Sequence, residues 1–180
     1  MMDLQKRISI ISEIVNEHPG LGKTAMMKYI YLLQKVYNVP FGYEYSIYTY
    51  GPYASLVMDD VDYAYSGGLI DIKREVYANG SGYHITLLEK GEDIISKEDE
   101  TIQKYKESIN KMMSLFKDKS AKDLELLTTI IYIHSNFITN NWPVEEVPDN
   151  VHEIKPHFDE ETIKAEFKRL DSLGVLKSAS

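Results

Sequence analysis

The fold of this chain is decided by the stretch Met27-Lys28-Tyr29-Ile30-Tyr31-Leu32-Leu33-Gln34, an apolar run interrupted by one Lys and one Gln. Its apolar residues point to more than one side of a helix that we expect from about Gly22 to Tyr37. A helix with so little polar surface is surrounded by neighbouring elements. The pattern therefore predicts a central helix in which Leu33 is fully buried.

The segments around this helix have their own signals. Apolar spacing predicts a first helix from Asp3 to Glu17. The segment from Phe41 to Thr49 is rich in aromatic and β-branched residues, so we expect it to be extended. Gly51-Pro52 is predicted to turn the chain into a third helix from Tyr53 to Ser66.

A β-hairpin is predicted after the third helix. Its strands are expected from Ile70 to Tyr77 and from Tyr83 to Leu87, around a loop at 78–82 whose glycines permit positive φ. Thr86 with Glu89 has the spacing of a capping box that would begin the next helix. The hairpin would be the wing of a winged helix.

The second half of the chain is predicted to be helical. Ser120 with Asp123 forms a capping box for one helix, and Asp159 can cap the last helix. Asn140-Asn141-Trp142-Pro143 is expected to end the first of these helices, and an irregular segment is expected to follow up to Phe158. The predicted fold is mainly α with minor β: a winged-helix-like core at 1–97, carrying a small hairpin wing, and a C-terminal helical extension at 98–180 packed on that core.

The central helix and the corner after it resemble the Panacea family (SocA-type antitoxin domains) and its YwgA-like relatives. In that family a KLxYLxQ helix is followed by an aromatic-Tyr-Gly-Pro corner and by a helix that ends near GLI. The resemblance covers about the first half of the chain and implies an antitoxin-like neutraliser or a regulatory adaptor. The matching residues are Lys28, Tyr31, Leu32, Gln34, Tyr50-Gly51-Pro52 and Gly68-Leu69-Ile70.

Composition excludes several classes of protein. The 180 residues contain 20 Lys and Arg against 28 Asp and Glu, a net charge of -8. The absence of Cys excludes disulfides, thiol catalysis and zinc–thiolate sites. The sequence has no apolar run long enough for a membrane helix and no signal peptide, so we expect a cytoplasmic protein that does not bind membranes.

The sequence offers no catalytic, cofactor or metal site. The segment Gly20-Leu21-Gly22-Lys23-Thr24 resembles the end of a P-loop, but Glu17 stands where that motif needs glycine and a helix precedes it. The histidines lack the spacing of a helical metal site, and no nucleophile motif is present. We therefore expect that the protein is not an enzyme, and a hydrolase or metal enzyme is only a residual alternative.

Tyrosine is unusually frequent, at 14 residues, and it clusters around the Gly-Pro corner. Tyr buries a flat ring while its hydroxyl stays in water, which suits protein interfaces. The corner is therefore predicted to bind another protein, with a cognate toxin as one candidate. The predicted partner-binding residues are Lys28, Tyr31, Gln34, Tyr48, Tyr50, Gly51, Pro52 and Tyr53.

The third helix argues against DNA recognition, since a recognition helix offers Arg, Lys, Asn or Gln to the bases. Its outer stripe instead carries Asp59 and Asp62 between Ser55 and Ser66, with Asp60 beside them. We therefore predict a non-enzymatic protein-binding module, with specific nucleic-acid binding disfavoured. The alternative is a DNA-binding winged-helix transcriptional regulator. The sequence names neither the partner nor the oligomeric state.

Overall fold

The computed structural model describes residues 2–77 and 80–179. The fold is mainly α with minor β, as predicted. The helices are α1 Leu4–Glu17, α2 Lys23–Lys35, α3 Ser55–Ser66, α4 Glu89–Lys97, α5 Asp99–Phe116, α6 Ala121–Thr139, α7 Val147–Ile154, α8 Glu160–Ser172 and α9 Val175–Ser178. The strands are β1 Ser46–Tyr48, β2 Gly51–Tyr53, β3 Ile70–Tyr77 and β4 Gly80–Leu87.

Helix α2 lies at the centre of the molecule, which confirms the first prediction. All of its residues from Met26 to Leu33 are buried, and Leu33 is fully inaccessible. The helix packs against α1, α3, α5 and α6. Because neighbours cover every side of it, the helix needs no polar stripe in this region.

Strands β3 and β4 form the predicted antiparallel hairpin, with Ile70 opposite Leu87. A single bridge from Leu21 to Ile85 ties the segment between α1 and α2 to β4. Ala78 and Asn79 of the expected loop lie outside the described residues, and the glycines expected in that loop belong to β4. The winged-helix assignment itself stays a prediction.

The prediction for the corner was wrong in one respect. Gly51 and Pro52 do not turn the chain; they lie in β2, which pairs with β1, and Thr49 and Tyr50 make the turn. Ile47 is opposite Pro52 in this hairpin. Both strands of a two-stranded sheet are edge strands, where the missing N–H of proline is tolerated.

The capping predictions for the second half are confirmed. Ser120 and Asp123 form a capping box at the start of α6, and the Asp159 side chain accepts a hydrogen bond at the start of α8. The capping box predicted between Thr86 and Glu89 is wrong. Thr86 is still paired within β4, and the residue before α4 is Leu88.

The segment expected to be irregular contains a 3₁₀ turn, Val144–Glu146, followed directly by α7. Pro148 lies in the first turn of α7, where its missing N–H breaks no helical hydrogen bond. Helix α5 packs against α1 and α2, helix α6 packs against α2, and buried residues from both halves form one continuous core. The division of the chain at residue 97 stays a prediction.

Candidate functional site

The predicted corner is a small platform of exposed aromatic rings. We call β1, β2 and their turn the tyrosine hairpin. Tyr48 and Tyr50 are 66% and 64% exposed, and Tyr53 is 38% exposed. The rings of Tyr48 and Tyr53 lie 5.7 Å apart between centroids, on the same two-stranded ribbon. These tyrosines offer contact area to a partner without any rearrangement of the hairpin.

The side chain of Lys28, in α2, anchors the buried side of the hairpin. We predicted it among the partner-binding residues, but its side chain is buried, and Nζ donates a hydrogen bond of 2.7 Å to the Pro52 carbonyl oxygen. Burial lowers the pKa of Lys28 to about 8, an effect that Glu125 opposes and Lys155 reinforces. Pro52 is also buried. Neither residue reaches the surface that a partner would contact.

A second buried lysine holds the turn. Lys155 Nζ donates to the carbonyl oxygens of Tyr48, at 3.0 Å, and of Thr49. Its charge is balanced by the buried Glu125 carboxylate at 3.1 Å, which His157 also approaches at 3.3 Å. Sequence reasoning missed Lys155 and Glu125, because residues so far along the chain carry no local signal that they meet the hairpin.

Gly51 lets the hairpin lie directly on α6. Its φ is +86°, and a Cβ at this position would stand 3.0 Å from Thr129 Oγ1 and 3.3 Å from the Glu125 carbonyl oxygen. A side chain would therefore suffer both backbone strain and crowding. Glycine here fixes the hairpin close to the core.

Gln34 and Tyr31 shape the chain that leads into the hairpin. Gln34 Oε1 accepts hydrogen bonds from the backbone N–H groups of Gly42 and Tyr43, and its Nε2 donates to the Tyr43 carbonyl. Tyr31 is fully buried with its ring edge-on to Tyr45, and burial raises its pKa well above the usual value. Of the residues that carry the family resemblance, Lys28, Gly51 and Pro52 fix the hairpin on the core, and Gln34 orders the chain that leads into it.

The predicted acidic stripe of α3 needs one correction. Asp60 is buried, accepts hydrogen bonds from Arg7 Nε at 2.7 Å and from the Tyr43 hydroxyl at 2.5 Å, and does not face solvent. Asp59 and Asp62 remain on the outer face, as expected. The α3 surface therefore carries less negative charge than predicted, and it still has no Lys or Arg.

A cleft of about 630 Å³ adjoins the tyrosine hairpin at Tyr50. We call it the Lys23 cleft, after one of its lining residues. The sequence around Lys23 resembled only the end of a P-loop, and no local pattern predicted this cleft. Its polar and aromatic lining residues include His18, Lys23, Tyr50, Tyr83, His84 and Lys119.

The described part of the chain was also compared with the requirements of a metal site and of a membrane-spanning helix. Within residues 2–77 and 80–179, no group of three or more His, Asp or Glu side chains could hold a metal ion. No helix among these residues is both long enough and apolar enough to cross a membrane. No protein-family model matches the chain, and no curated protein is significantly similar to it. The resemblance to the Panacea family therefore rests on the residues quoted above.

Proposed function

We propose that this protein is a non-enzymatic protein-binding module that contacts its partner through the tyrosine hairpin. The observation that carries the proposal is a set of exposed tyrosine rings on a ribbon that buried side chains hold in place. Tyr48 and Tyr50 are the most exposed of these rings. Tyrosine gives large contact area at a low cost in side-chain entropy.

Preorganisation supports the same proposal. Lys28 and Lys155 donate hydrogen bonds to backbone carbonyl oxygens of the hairpin, and Gly51 places it against α6. A surface that is already ordered loses little conformational entropy when a partner binds. Burying charged lysines beneath the hairpin costs free energy, which argues that a fixed position of the hairpin is important for the function of the protein.

The kind of partner follows from the resemblance to the Panacea family. It implies a winged-helix-like protein that neutralises a cognate toxin or acts as a regulatory adaptor in the cytoplasm. The order α1, α2, α3, β3, β4 is compatible with that fold. DNA binding is the weaker alternative, since the outer face of α3 carries Asp59 and Asp62, and duplex affinity depends on Lys and Arg.

An affinity pull-down from the native host tests the proposal. The wild type is compared with a variant that combines Tyr48→Ala and Tyr53→Ala, and each protein is first checked for its thermal melting temperature. We expect the variant to lose the retrieved partner while it stays folded. The matched control combines Tyr63→Ala and Tyr65→Ala, which removes exposed rings from α3 instead.

The control should retrieve the partner as the wild type does. Equal retrieval by the hairpin variant and the wild type would make the hairpin a scaffold only. Loss of retrieval in the α3 variant alone would move the binding surface to α3. Either result contradicts the proposal.

A further inference from the structure

Strand β1 of the tyrosine hairpin has an open edge. Within residues 2–77 and 80–179, β1 pairs with no strand other than β2. The opposite edge of the ribbon, along β2, lies against α2 and α6. In this ribbon, β1 is therefore the strand to which a further strand could be added.

The proline in β2 determines which backbone groups this edge offers. Ile47 is opposite Pro52, and proline has no N–H to donate. The two residues must therefore form a non-hydrogen-bonded pair, whose backbone N–H and C=O groups point away from the partner strand. The Pro52 carbonyl oxygen agrees with this, because it accepts its hydrogen bond from Lys28 in α2. By the same geometry, the N–H and C=O groups of Ile47 point outward from the edge of β1.

The backbone of Ile47 is available to a ligand. Among the described residues, no hydrogen bond from outside the hairpin reaches its N–H or its C=O. The carbonyl groups on either side of it do have partners: Tyr45 O lies 3.5 Å from the Tyr132 hydroxyl, and Lys155 donates to Thr49 O. An added strand would therefore be held in one register, with its hydrogen bonds at Ile47.

The two faces of the ribbon offer different surfaces to such a strand. Tyr48 and Tyr53 share the outer face, whereas Ile47 shares the inner face with the buried Pro52. A cavity of about 420 Å³ lies beside Ile47, and Ile154 at the end of α7 lines it and is 39% exposed. The residue paired with Ile47 would direct its side chain to this cavity, and its neighbours would direct theirs to the tyrosine rings.

The cavity suits an aliphatic side chain. Lys155 also lines it, but its Nζ donates to the turn of the hairpin and lies 3.1 Å from the Glu125 carboxylate. The charge and the hydrogen bonds of this lysine are thus satisfied within the protein. Ile47 and Ile154 contribute apolar surface that a ligand can cover.

We propose that the partner protein presents an extended segment that pairs with β1 at Ile47 as a third strand and places one aliphatic side chain in the cavity beside Ile154. This inference rests on the proposed function and adds the conformation and the side-chain pattern of the partner segment. In this mode of recognition, main-chain hydrogen bonds supply affinity and pockets for alternate side chains supply specificity. A second copy of this chain fits less well, because two molecules of net charge -8 repel each other.

Peptide selection followed by backbone methylation tests this inference. A displayed library of random peptides of about eight residues is selected on the full chain, and the tightest peptide is synthesised. Each backbone N–H of that peptide is then replaced by N-methyl, one position at a time. We expect one methylation to weaken binding about tenfold and methylation at the two adjacent positions to change little, because those N–H groups point away from β1.

Variants of the protein test the same contacts from the other side. Ile47→Pro removes the outward donor, and it should weaken peptide binding about tenfold while the melting temperature stays close to that of the wild type. Ile154→Ala should weaken binding about fivefold, since it removes apolar surface from the cavity. Leu173→Ala is the matched control, because Leu173 is a similarly exposed aliphatic residue outside this cavity, and it should bind like the wild type. If Ile47→Pro does not fold, the methylation series on the wild type decides.

Several results would overturn the inference. These are a selection that yields no binding peptide, equal sensitivity to methylation at adjacent positions, unchanged binding by folded Ile47→Pro, or equal effects of Ile154→Ala and Leu173→Ala. A dimer in sedimentation that Ile47→Pro abolishes would assign the edge to a second copy instead.

The pull-down with the Tyr48 and Tyr53 variant tests the proposed function separately. A partner that is lost with these tyrosines, together with peptides that do not pair at Ile47, would refute this inference alone. Equal retrieval by that variant and the wild type would refute the proposed function, whatever the peptides do. The two failures are therefore distinguishable.

Discussion

Gly51→Ala is expected to destabilise the protein strongly, through backbone strain and through crowding against α6, and the two contributions can be measured separately. Alanine at φ +86° pays a backbone penalty of about 1 kcal/mol or somewhat more. Its Cβ would also approach Thr129 Oγ1 at 3.0 Å and the Glu125 carbonyl oxygen at 3.3 Å. Forcing a methyl group into a packed site costs roughly 1–3 kcal/mol. We therefore expect a total loss of about 2–4 kcal/mol.

Gly174→Ala provides the matched control. Gly174 has a similar φ of +72°, yet a Cβ there would meet no heavy atom within 4 Å. This variant should carry the backbone penalty alone, about 1 kcal/mol. The difference between the two variants then measures how closely the hairpin approaches α6.

Urea denaturation followed by far-UV circular dichroism gives both free energies of unfolding. For a chain of this size, each kcal/mol corresponds to about 2–4 °C in melting temperature, so thermal melts provide an independent check. Combining Gly51→Ala with Thr129→Ala should recover part of the loss, because the nearest atom is removed. A Gly51→Ala variant no less stable than Gly174→Ala would refute the close contact between hairpin and core.

Three further predictions concern the core, the buried charge and the charge of the surface. Leu33→Ala should cost about 2–5 kcal/mol in urea denaturation, and a change under about 1 kcal/mol would contradict the central place of α2. The pKa of Lys28 falls from 10.5 to about 8 on folding, so between these pH values the unfolded chain binds this proton more tightly than the folded protein does. The contribution of Lys28 to the free energy of unfolding should therefore rise as the pH rises from about 8 to about 10.5. The free energy of unfolding of the wild type minus that of Lys28→Met should rise by about 2 kcal/mol between about pH 7 and about pH 10, and a flat difference would mean an unperturbed lysine. Fluorescence anisotropy with genomic DNA fragments at about 0.15 M salt should detect no specific binding, and nanomolar, competitor-resistant binding would contradict this.

The sequence predicted correctly those helices and caps that depend on residues close together in the chain. The periodic apolar residues of α1 and α2 and the caps at Ser120 and Asp159 were read correctly, since each signal lies within a turn or two of the element. The β1–β2 hairpin was missed because Gly51-Pro52 is usually a turn signal. Only the two-stranded sheet makes proline acceptable there.

The candidate site was predictable only in part. The exposed tyrosines were found from their clustering, but the side chains that hold them were not. Lys155 reaches a carbonyl 107 residues earlier in the chain, and Asp60 is neutralised by Arg7 from another helix. Contacts of this kind depend on tertiary packing, which no window of neighbouring residues contains. The same is true of the Lys23 cleft, whose lining residues come largely from α2, β4 and the start of α6.

The hydrogen bonds from Lys155 to the turn have a thermodynamic consequence for the whole molecule. Lys155 directly follows α7 and donates to the carbonyl oxygens of Tyr48 and Thr49, so a partner that binds the hairpin favours molecules in which this end of α7 is docked. By linkage, binding at the hairpin should suppress local opening of α7, and loosening α7 should weaken binding by the same free energy. Amide hydrogen exchange would reveal this coupling as slower exchange in α7 on binding, with exchange in the distant α4 unchanged.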